Sequence, residues 1–371
     1  MVSFEEEYES TATIKSLCQL GGTVETSMLP NGVKVMSTGA AASSVVAVKV
    51  DGMGSAFGPA GGAFAAKMMS FKSAKGASDL KIQRELELEA NTPQGVVLKS
   101  SVVLGIEGLP QFAEAAVEKL AVAIGAGRDP YIDWEFREHI AEVMKTLEPL
   151  DPLKFAIESA SYGEGSLYAR PIVTKRSLGA LSSTDVYDFN QSAVNAHPMT
   201  LVGIGLDHSE ILSYAAKAFA GLPPRTTKQV PPPPPFIYGG FSAKSSASIA
   251  SCAVALPISD LATGHTLALC LSTSAIPVSY FSGLLVAQSP TASKSDLLKV
   301  LTTDLAKLTE ADFKKANVTY ETQLYSKTGI DLAVAIADGA FDNTKGNLTA
   351  TKAALTKVEP SFAVVAATDD L

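Results

Sequence analysis

Hydrophobic residues along the chain fall into short runs typical of strands and longer stretches with helical spacing. Ser44–Val50 is rich in β-branched residues and predicts a strand, and Gly62–Phe71 after it predicts an apolar helix. Val96–Gly105 predicts a second strand, which leads into an amphipathic helix from Leu109. Four apolar residues spaced four apart share one face of that helix: Phe112, Ala116, Leu120 and Ile124. Strands and helices in this order predict an α/β fold.

The same order recurs in the second half of the chain. Ile249–Ile258 and Tyr280–Gln288 predict strands, and Gly264–Ser272 predicts an apolar helix between them. The helix that follows carries Leu297, Leu298, Leu301 and Leu305. The repetition predicts a tandem duplication of one α/β unit in sandwich-like layers, with each half a mixed β-sheet packed with helices.

Further helices and closing strands extend the parallel between the halves. The predicted helices are one beginning near Trp134, one beginning near Ala311, Phe155–Tyr162, Ile330–Phe341, one beginning at Ser183 and Leu348–Val358. Each half then closes with a proline and a buried strand, Met199–Leu206 in the first and Phe362–Thr368 in the second. This shared ending supports the duplication.

Five consecutive prolines, Pro231–Pro235, mark the clearest boundary in the chain. Such a run favours an extended polyproline II conformation and therefore a stiff spacer, although it could also be a ligand for a small adaptor domain. The chain of 371 residues exceeds the roughly 250–300 residues that one core usually holds. We therefore predict an N-terminal half over residues 1–225, a Pro-rich linker over 226–236 and a shortened C-terminal half over 237–371.

Composition excludes several classes of protein. Thirty basic and 38 acidic residues give a net charge of −8, which argues against nucleic-acid binding because counterion release needs a basic surface. The three cysteines have no C-x-x-C spacing, so free thiols in a reducing compartment are favoured over a redox role. No apolar run approaches the length of a membrane span, and the acidic first ten residues differ from an Arg-rich mitochondrial presequence.

The segment Gly61–Lys72, which reads GGAFAAKMMSFK, resembles the zinc-motif helix of the pitrilysin and mitochondrial processing peptidase family. That family has H-x-x-E-H in the setting G-x-A-H-F-L-E-H-M-x-F-K, where the two histidines bind zinc and the glutamate is the general base. Here Phe64 stands at the first histidine, Lys67 at the glutamate and Met68 at the second histidine. These side chains cannot bind or activate a metal in that way. The resemblance therefore implies an inactive family member, and we predict no catalytic residue, no metal ligand and no cofactor.

Other candidate residues do not rebuild a site. Glu135, Glu138 and Glu142 could each be a remnant of the family's third zinc ligand, but a solvated acidic helix face is the favoured interpretation. The four histidines lack the spacing of a zinc site and are interpreted as structural: His139, His197, His208 and His265. The glycines between Gly52 and Gly62 lack the motif of a phosphate-binding loop, and Gly163-x-Gly165-Ser166 is not a nucleophile elbow.

The resemblance implies a structural or assembly subunit of the mitochondrial cytochrome bc1 complex, respiratory complex III. Such a subunit would be peripheral, without a membrane span of its own, on the matrix side of the inner membrane. Its partners would be core protein 1 or a β-type processing peptidase homologue, together with the cytochrome b, cytochrome c1 and Rieske subunits. A long-lived interface of this kind is expected to exceed roughly 2,000 Å².

Two alternatives remain open. The chain could be the non-catalytic α-type subunit of the mitochondrial processing peptidase, which binds presequences. The negative charge suits a basic presequence, but the family's glycine-rich loop is not visible, since Leu271–Leu285 holds one glycine, Gly283. An enzyme of unrelated mechanism is the other alternative, and no residues in the sequence identify a site for it.

Overall fold

The structure is a computed structural model. It describes residues 24–39, 44–74, 76–125, 129–148, 151–223, 231–246, 251–272, 276–290, 292–340, 355 and 358–367. Within these ranges the chain forms two β-sheets, of six and five strands, with helices packed on their faces. Among the described helices, none has both the length and the apolar character needed to cross a membrane.

The first sheet has the strand order β1-β2-β6-β3-β5-β4. Its strands are β1 (Glu25–Met28), β2 (Lys34–Thr38), β3 (Ser44–Asp51), β4 (Thr92–Val97), β5 (Ser101–Gly108) and β6 (Met199–Ile204). β2 and β6 pair in parallel and the other neighbours pair antiparallel. The sheet is therefore mixed, as the sequence predicts.

Eight helices belong to the described part of the first half. They are α1 (Gly62–Met69), α2 (Asp79–Leu88), α3 (Ala113–Ala123), α4 (Asp133–Thr146), α5 (Pro152–Tyr162), α6 (Lys175–Gly179), α7 (Ser183–Ala196) and α8 (His208–Ala218). Ala116, Leu120 and Ile124 are buried as the amphipathic pattern predicts, and Phe112 lies in a 3₁₀ turn before α3. Four helices begin with a side-chain cap that accepts a hydrogen bond from the first turn: Ser78, Asp151, Thr174 and Ser182.

The second sheet has the strand order β7-β11-β8-β10-β9. Its strands are β7 (Phe241–Ser246), β8 (Ser251–Pro257), β9 (Val278–Phe281), β10 (Leu284–Ser289) and β11 (Ser361–Ala367). Its helices are α9 (Leu261–Leu271), α10 (Lys294–Lys299), α11 (Leu305–Lys307), α12 (Glu310–Ser326) and α13 (Gly329–Ala337), with a π-helical turn, Val300–Asp304, between α10 and α11. Pro231–Pro235 lies in a stretch without helix or strand. The exact domain boundaries remain a prediction.

The two sheets share one topology. The order β2-β6-β3-β5-β4 in the first corresponds to β7-β11-β8-β10-β9 in the second. In both, the first pair is parallel and the next three pairs are antiparallel. The predicted fold class, two homologous halves that each hold a mixed sheet packed with helices, is confirmed.

Some predicted elements were wrong in detail. Val96–Gly105 and Tyr280–Gln288 were each predicted as one strand, but each spans the turn of a hairpin, β4–β5 and β9–β10. Apolar residues continue up to both turns, so the hydrophobic pattern does not show where one strand ends and the next begins. In the β9–β10 hairpin, positive φ angles at Ser282 and Gly283 mark the turn. The helix α2 was not predicted. Most of the helix predicted over Leu348–Val358 lies outside the described residues.

Each half contributes a helix to the sheet of the other half. Helix α5, from the first half, packs on β7, β8 and β11, where Ala156 and Ile157 join one buried cluster with residues of the second sheet. Helix α13, from the second half, packs on β3, β5 and β6, where Leu332 and Ile336 lie against the first sheet. The two helices hold corresponding places in the duplication, so the exchange is reciprocal.

Polar contacts accompany the exchange. Lys49 on β3 pairs at 2.7 Å with Asp338, which follows α13. Glu158 on α5 receives a hydrogen bond at 2.7 Å from Lys99 Nζ in the β4–β5 turn and another at 3.0 Å from Ser282 Oγ in the β9–β10 turn. The two homologous hairpin turns therefore meet at one buried carboxylate.

Replacing Ile157 by Ala tests whether the halves unfold together. The side chain is fully buried between α5 and the second sheet, so we expect the free energy of unfolding to fall by about 2–5 kcal/mol in urea denaturation. Because α5 belongs to the first half, amide hydrogen exchange should accelerate in β3 as well as in β8. Val318→Ala on α12 is the matched control, since Val318 is 61% exposed and should change the stability by less than about 0.5 kcal/mol. Faster exchange confined to the second sheet would contradict the coupling.

Candidate functional site

Helix α1 carries the segment that resembles a zinc-motif helix, and its small residues fix how it packs. Ala63, Ala65 and Ala66 are buried against the core, whereas Phe64, Lys67 and Met68 are half-buried. The Lys67 ammonium lies over the Phe64 ring, 5.6 Å from its centroid, which is a cation–π contact. Burial lowers the pKa of Lys67. A cation stacked on a ring therefore occupies the two positions at which the resemblance would place a general base and a first metal ligand.

The glycine-rich loop before α1 serves packing. A Cβ on Gly54 would lie 2.2 Å from the Lys99 carbonyl oxygen, so only glycine lets this loop approach the β4–β5 turn so closely. The neighbouring amides of Ser55 and Ala56 donate to the carbonyl oxygens of Leu98 and Lys99. These amides are used within the fold and do not form a phosphate cradle.

The acidic helix α4 is only partly solvated. Glu138 and Glu142 are exposed, as predicted, but Glu135 is 4% exposed and belongs to the buried face with Phe136. Its Oε1 accepts hydrogen bonds from the backbone N–H of Ser73 at 3.4 Å and from Ser73 Oγ at 2.9 Å. The prediction of a solvated face was therefore wrong at Glu135, because the chain leaving α1 folds over that end of α4.

Asp79 joins Glu135 and His139 to form a cluster that the sequence analysis missed. His139 Nε2 lies 3.5 Å from Asp79 Oδ2 and 3.9 Å from Glu135 Oε1. Asp79 begins α2, and the signal that could have found it is the cap residue Ser78 before an amphipathic run. No local pattern places α2 beside α4. We call these three residues the α4 cluster.

The remaining histidines occupy structural positions. The two ring nitrogens of His208 contact Ser27 Oγ at 2.7 Å and Ser37 Oγ at 2.8 Å, which joins α8 to β1 and β2. The ring of His197 fills the space that a side chain at Gly52 would need. His265 lies against Tyr280 and stacks on Tyr320, with ring centroids 5.0 and 5.4 Å apart. Burial, followed by the charge of Lys327, lowers the pKa of His265.

Two of the cysteines can be placed. Cys252 and Cys270 are free, half-buried thiols. Burial raises the pKa of Cys252, and burial with the charge of Asp312 raises the pKa of Cys270 to about 11. Both thiols are thus held in the unreactive protonated form at neutral pH, in accord with the interpretation as free structural cysteines. Cys18 lies outside the described residues.

A buried ion pair, Lys99 with Glu158, lies at the contact between the halves. The two side chains are 11% and 3% exposed. Lys99 Nζ also donates to the carbonyl oxygens of Tyr168 and Arg170, each at 2.9 Å. Burial lowers the pKa of Lys99, and Glu158 opposes this effect. Every donor position of the ammonium is therefore occupied within the fold.

Comparison with known proteins agrees with this geometry. Residues 180–276 match the family profile described as the peptidase M16 inactive domain. A protease from Helicobacter pylori superposes with a TM-score of 0.74 at 14% identity, covering 93% of this chain and 100% of that one. The peptidase M16 inactive domain from Pseudomonas fluorescens superposes with a TM-score of 0.74 at 16% identity, covering 93% and 98%. The chain has the fold of an M16-type protein.

Two curated relatives are mitochondrial proteins by name. The mitochondrial-processing peptidase subunit alpha of Solanum tuberosum is 26% identical over 196 residues, which are 51% of this chain and 38% of the relative. Subunit alpha-2 of Dictyostelium discoideum is 26% identical over 208 residues, which are 53% and 46%. The matches thus span less than half of these relatives' own length. With the side chains at positions 64, 67 and 68, the likenesses support an inactive relative of the M16 peptidases.

The stability of the protein should respond differently to the same substitution at Lys99 and at the half-buried Lys67. Lys99→Met leaves the buried carboxylate of Glu158 without its counter-charge, and we expect a loss of about 3–5 kcal/mol in the free energy of unfolding. Lys67→Met removes a half-buried cation that has no carboxylate partner among the described residues. The free energy of unfolding should therefore stay the same or rise. Urea denaturation at pH 7 measures both. Equal losses in the two variants would contradict this account of Lys67.

His265 should make stability depend on pH. Its pKa in the folded protein lies below the ordinary value of 6.5, so just below pH 6.5 the unfolded chain binds more protons than the folded one. The free energy of unfolding should therefore fall as the pH drops from about 7 to 5. His265→Phe, which keeps a ring between the tyrosines, should flatten that decline. Parallel pH curves for the two proteins would show that His265 titrates normally.

Proposed function

We propose that this chain is a non-catalytic subunit that works by associating with a related chain. The observation that carries the proposal is helix α1, where Phe64, Lys67 and Met68 replace the ligands and base on a fold that otherwise superposes on M16-type proteins. A half-buried ammonium at the base position repels a divalent cation, since like charges a few ångströms apart cost several kcal/mol in a partly buried site. Restoring hydrolysis would need all three positions changed.

The assembly we propose is the mitochondrial cytochrome bc1 complex, with this chain in the position of core protein 2. It would lie peripherally on the matrix side of the inner membrane. Core protein 1, or a β-type processing peptidase homologue, would be its direct partner, and the cytochrome b, cytochrome c1 and Rieske subunits would be its neighbours. The mitochondrial names of both curated relatives support the compartment, and the resemblance at Gly61–Lys72 supports the inactive class.

Exposed apolar side chains offer a surface for such a partner. Ile237 and Tyr238 lie just before the edge strand β7 and Phe241 is its first residue, and the three residues are 43%, 62% and 64% exposed. Phe241 stacks on Phe362 of the neighbouring strand β11, with ring centroids 5.8 Å apart. Exposed apolar side chains beside an edge strand are normally covered in a stable protein. Burying such a surface supplies about 25 cal/mol per Å².

A second candidate is the α-type subunit of a processing peptidase, which would bind presequences for an active partner. The names of the two curated relatives favour it. The net charge of −8 would also suit a basic peptide. Both candidates share a non-catalytic chain and a homologous partner, and they differ in what else the assembly contains.

Purification of the tagged chain from mitochondria in a mild detergent separates the candidates. We expect stoichiometric recovery of a related M16-type chain together with cytochromes b and c1, visible in the haem absorption spectrum. A soluble heterodimer that cleaves presequences and lacks haem would replace the first candidate with the second. A chain that elutes alone and hydrolyses presequence peptides in a chelator-sensitive reaction would overturn both.

A further inference from the structure

The α4 cluster has the composition and spacing of a metal site. Glu135 and His139 are one turn apart on α4, so their side chains project from the same face. Asp79 reaches them from the first turn of α2. The three possible ligand atoms all lie within 4.8 Å of one another, with His139 Nε2 3.5 Å from Asp79 and 3.9 Å from Glu135. Ligand atoms that bind a tetrahedral ion at about 2.0–2.2 Å lie roughly 3.3–3.6 Å from one another. The three side chains therefore need to move only slightly closer together to bind an ion.

We propose that Asp79, Glu135 and His139 bind one divalent transition-metal ion, with Zn²⁺ as the ion that their imidazole and carboxylate groups suit. One imidazole and two carboxylates form a three-ligand set that leaves a fourth position for water. The site does not use Phe64 or Met68 of α1. It departs from the sequence prediction of no metal ligand, because the fold brings Asp79 beside Glu135 and His139, which the sequence alone favoured as a solvated acid and a structural histidine.

The carboxylates are held in position before any ion binds. Ser73 Oγ donates to Glu135 Oε1 at 2.9 Å and accepts from the backbone N–H of Asp79 at 2.9 Å, which fixes both acids to one residue. Gln83 Nε2 donates to Asp79 Oδ1 at 3.1 Å, and Oδ2 is the oxygen nearest His139. Outer contacts of this kind orient metal ligands and strengthen binding.

The cluster carries more negative than positive charge. Glu135 is buried, and a buried carboxylate is costly unless a cation balances it. Lys72 Nζ lies 3.0 Å from Asp79 Oδ2 and provides one such charge. Its flexible stem allows the ammonium to swing away when an ion of higher charge arrives. Lys72 therefore competes with the metal for Asp79, which gives the proposal an unusual test.

A cavity gives an ion access to the cluster. It has a volume of about 660 Å³ and is lined by the three ligands together with Ser73, Trp134 and Glu138. It is open to solvent, which leaves room for a bound water at the fourth position. Trp134 is the single tryptophan of the chain and lies beside Glu135 in the sequence, so its fluorescence should report an ion in the site.

Binding of Zn²⁺ and Co²⁺ alone to the full chain tests the proposal. We expect one Co²⁺ per chain, with visible absorption of a four-coordinate ion and quenching of Trp134, and displacement by Zn²⁺ in calorimetric titration. His139→Ala should weaken binding by more than about 100-fold, since even outer-shell partners are worth 10–100-fold. Glu142→Gln, an exposed carboxylate on the same helix, is the matched control and should bind as the wild type does.

Lys72→Met should tighten binding by at least about tenfold, because a competing charge is removed. A misfolded variant could not gain affinity in this way. Absence of binding in the wild type, binding that His139→Ala leaves unchanged, or binding that appears only in Lys72→Met would each overturn the proposal. The outcome is separable from the proposed function, because bound zinc without hydrolysis supports the site and leaves the non-catalytic role intact.

Discussion

The reciprocal exchange of α5 and α13 is the contact on which the rest of the structure depends. Strand β3 has an almost unbroken apolar sequence, and its residues on both faces of the sheet are buried. A strand of this kind needs cover on two sides. Among the described residues, the helices of the first half cover one face, and the other face is covered by Leu332, Ala333 and Ile336 from the second half. The second sheet receives α5 in the same way.

The exchange also explains where the buried charges lie. Lys49 interrupts the apolar run of β3 at the point where α13 ends, and there it meets Asp338 and Asp51. Glu158 similarly lies on α5 where the two hairpin turns converge. A buried ion pair adds little net stability over a well-packed apolar pair, but a misplaced one is costly. These pairs therefore act mainly by fixing the position of each helix along the sheet of the other half. Apolar contacts alone would define that position less precisely.

Local sequence patterns predicted most helices and strands, because apolar residues recur along a buried element with the period of a helix or a strand. The faces of α3 and α10 and the closing strands β6 and β11 follow from that period alone. The turns at Leu98–Ser100 and Ser282-Gly283 were missed because hydrophobicity does not fall before them. The helix exchange and the α4 cluster could not be predicted, since they join residues far apart in the sequence. Ser73 and Glu135, for example, are 62 positions apart, and only the packing of α1 on α4 brings them together.

Two regions near α1 should act on a cation in opposite ways: the region around Lys67 repels it, and the α4 cluster attracts it. On the side facing β4, Lys67 packs against Gly95 and over Phe64, so a divalent ion meets a positive charge and an apolar wall. Beyond the end of the helix, Ser73 binds the Glu135 carboxylate and the backbone N–H of Asp79, and the α4 cluster there has Lys72 as a counter-charge on Asp79. A fold that has lost its zinc ligands need not have lost all affinity for zinc, because affinity follows the local charge and the donor atoms. In this chain Phe64, Lys67 and Met68 remove the motif's ligands and general base, and the donor atoms proposed to hold a metal lie on α2 and α4 instead, so an ion bound there would lack that general base.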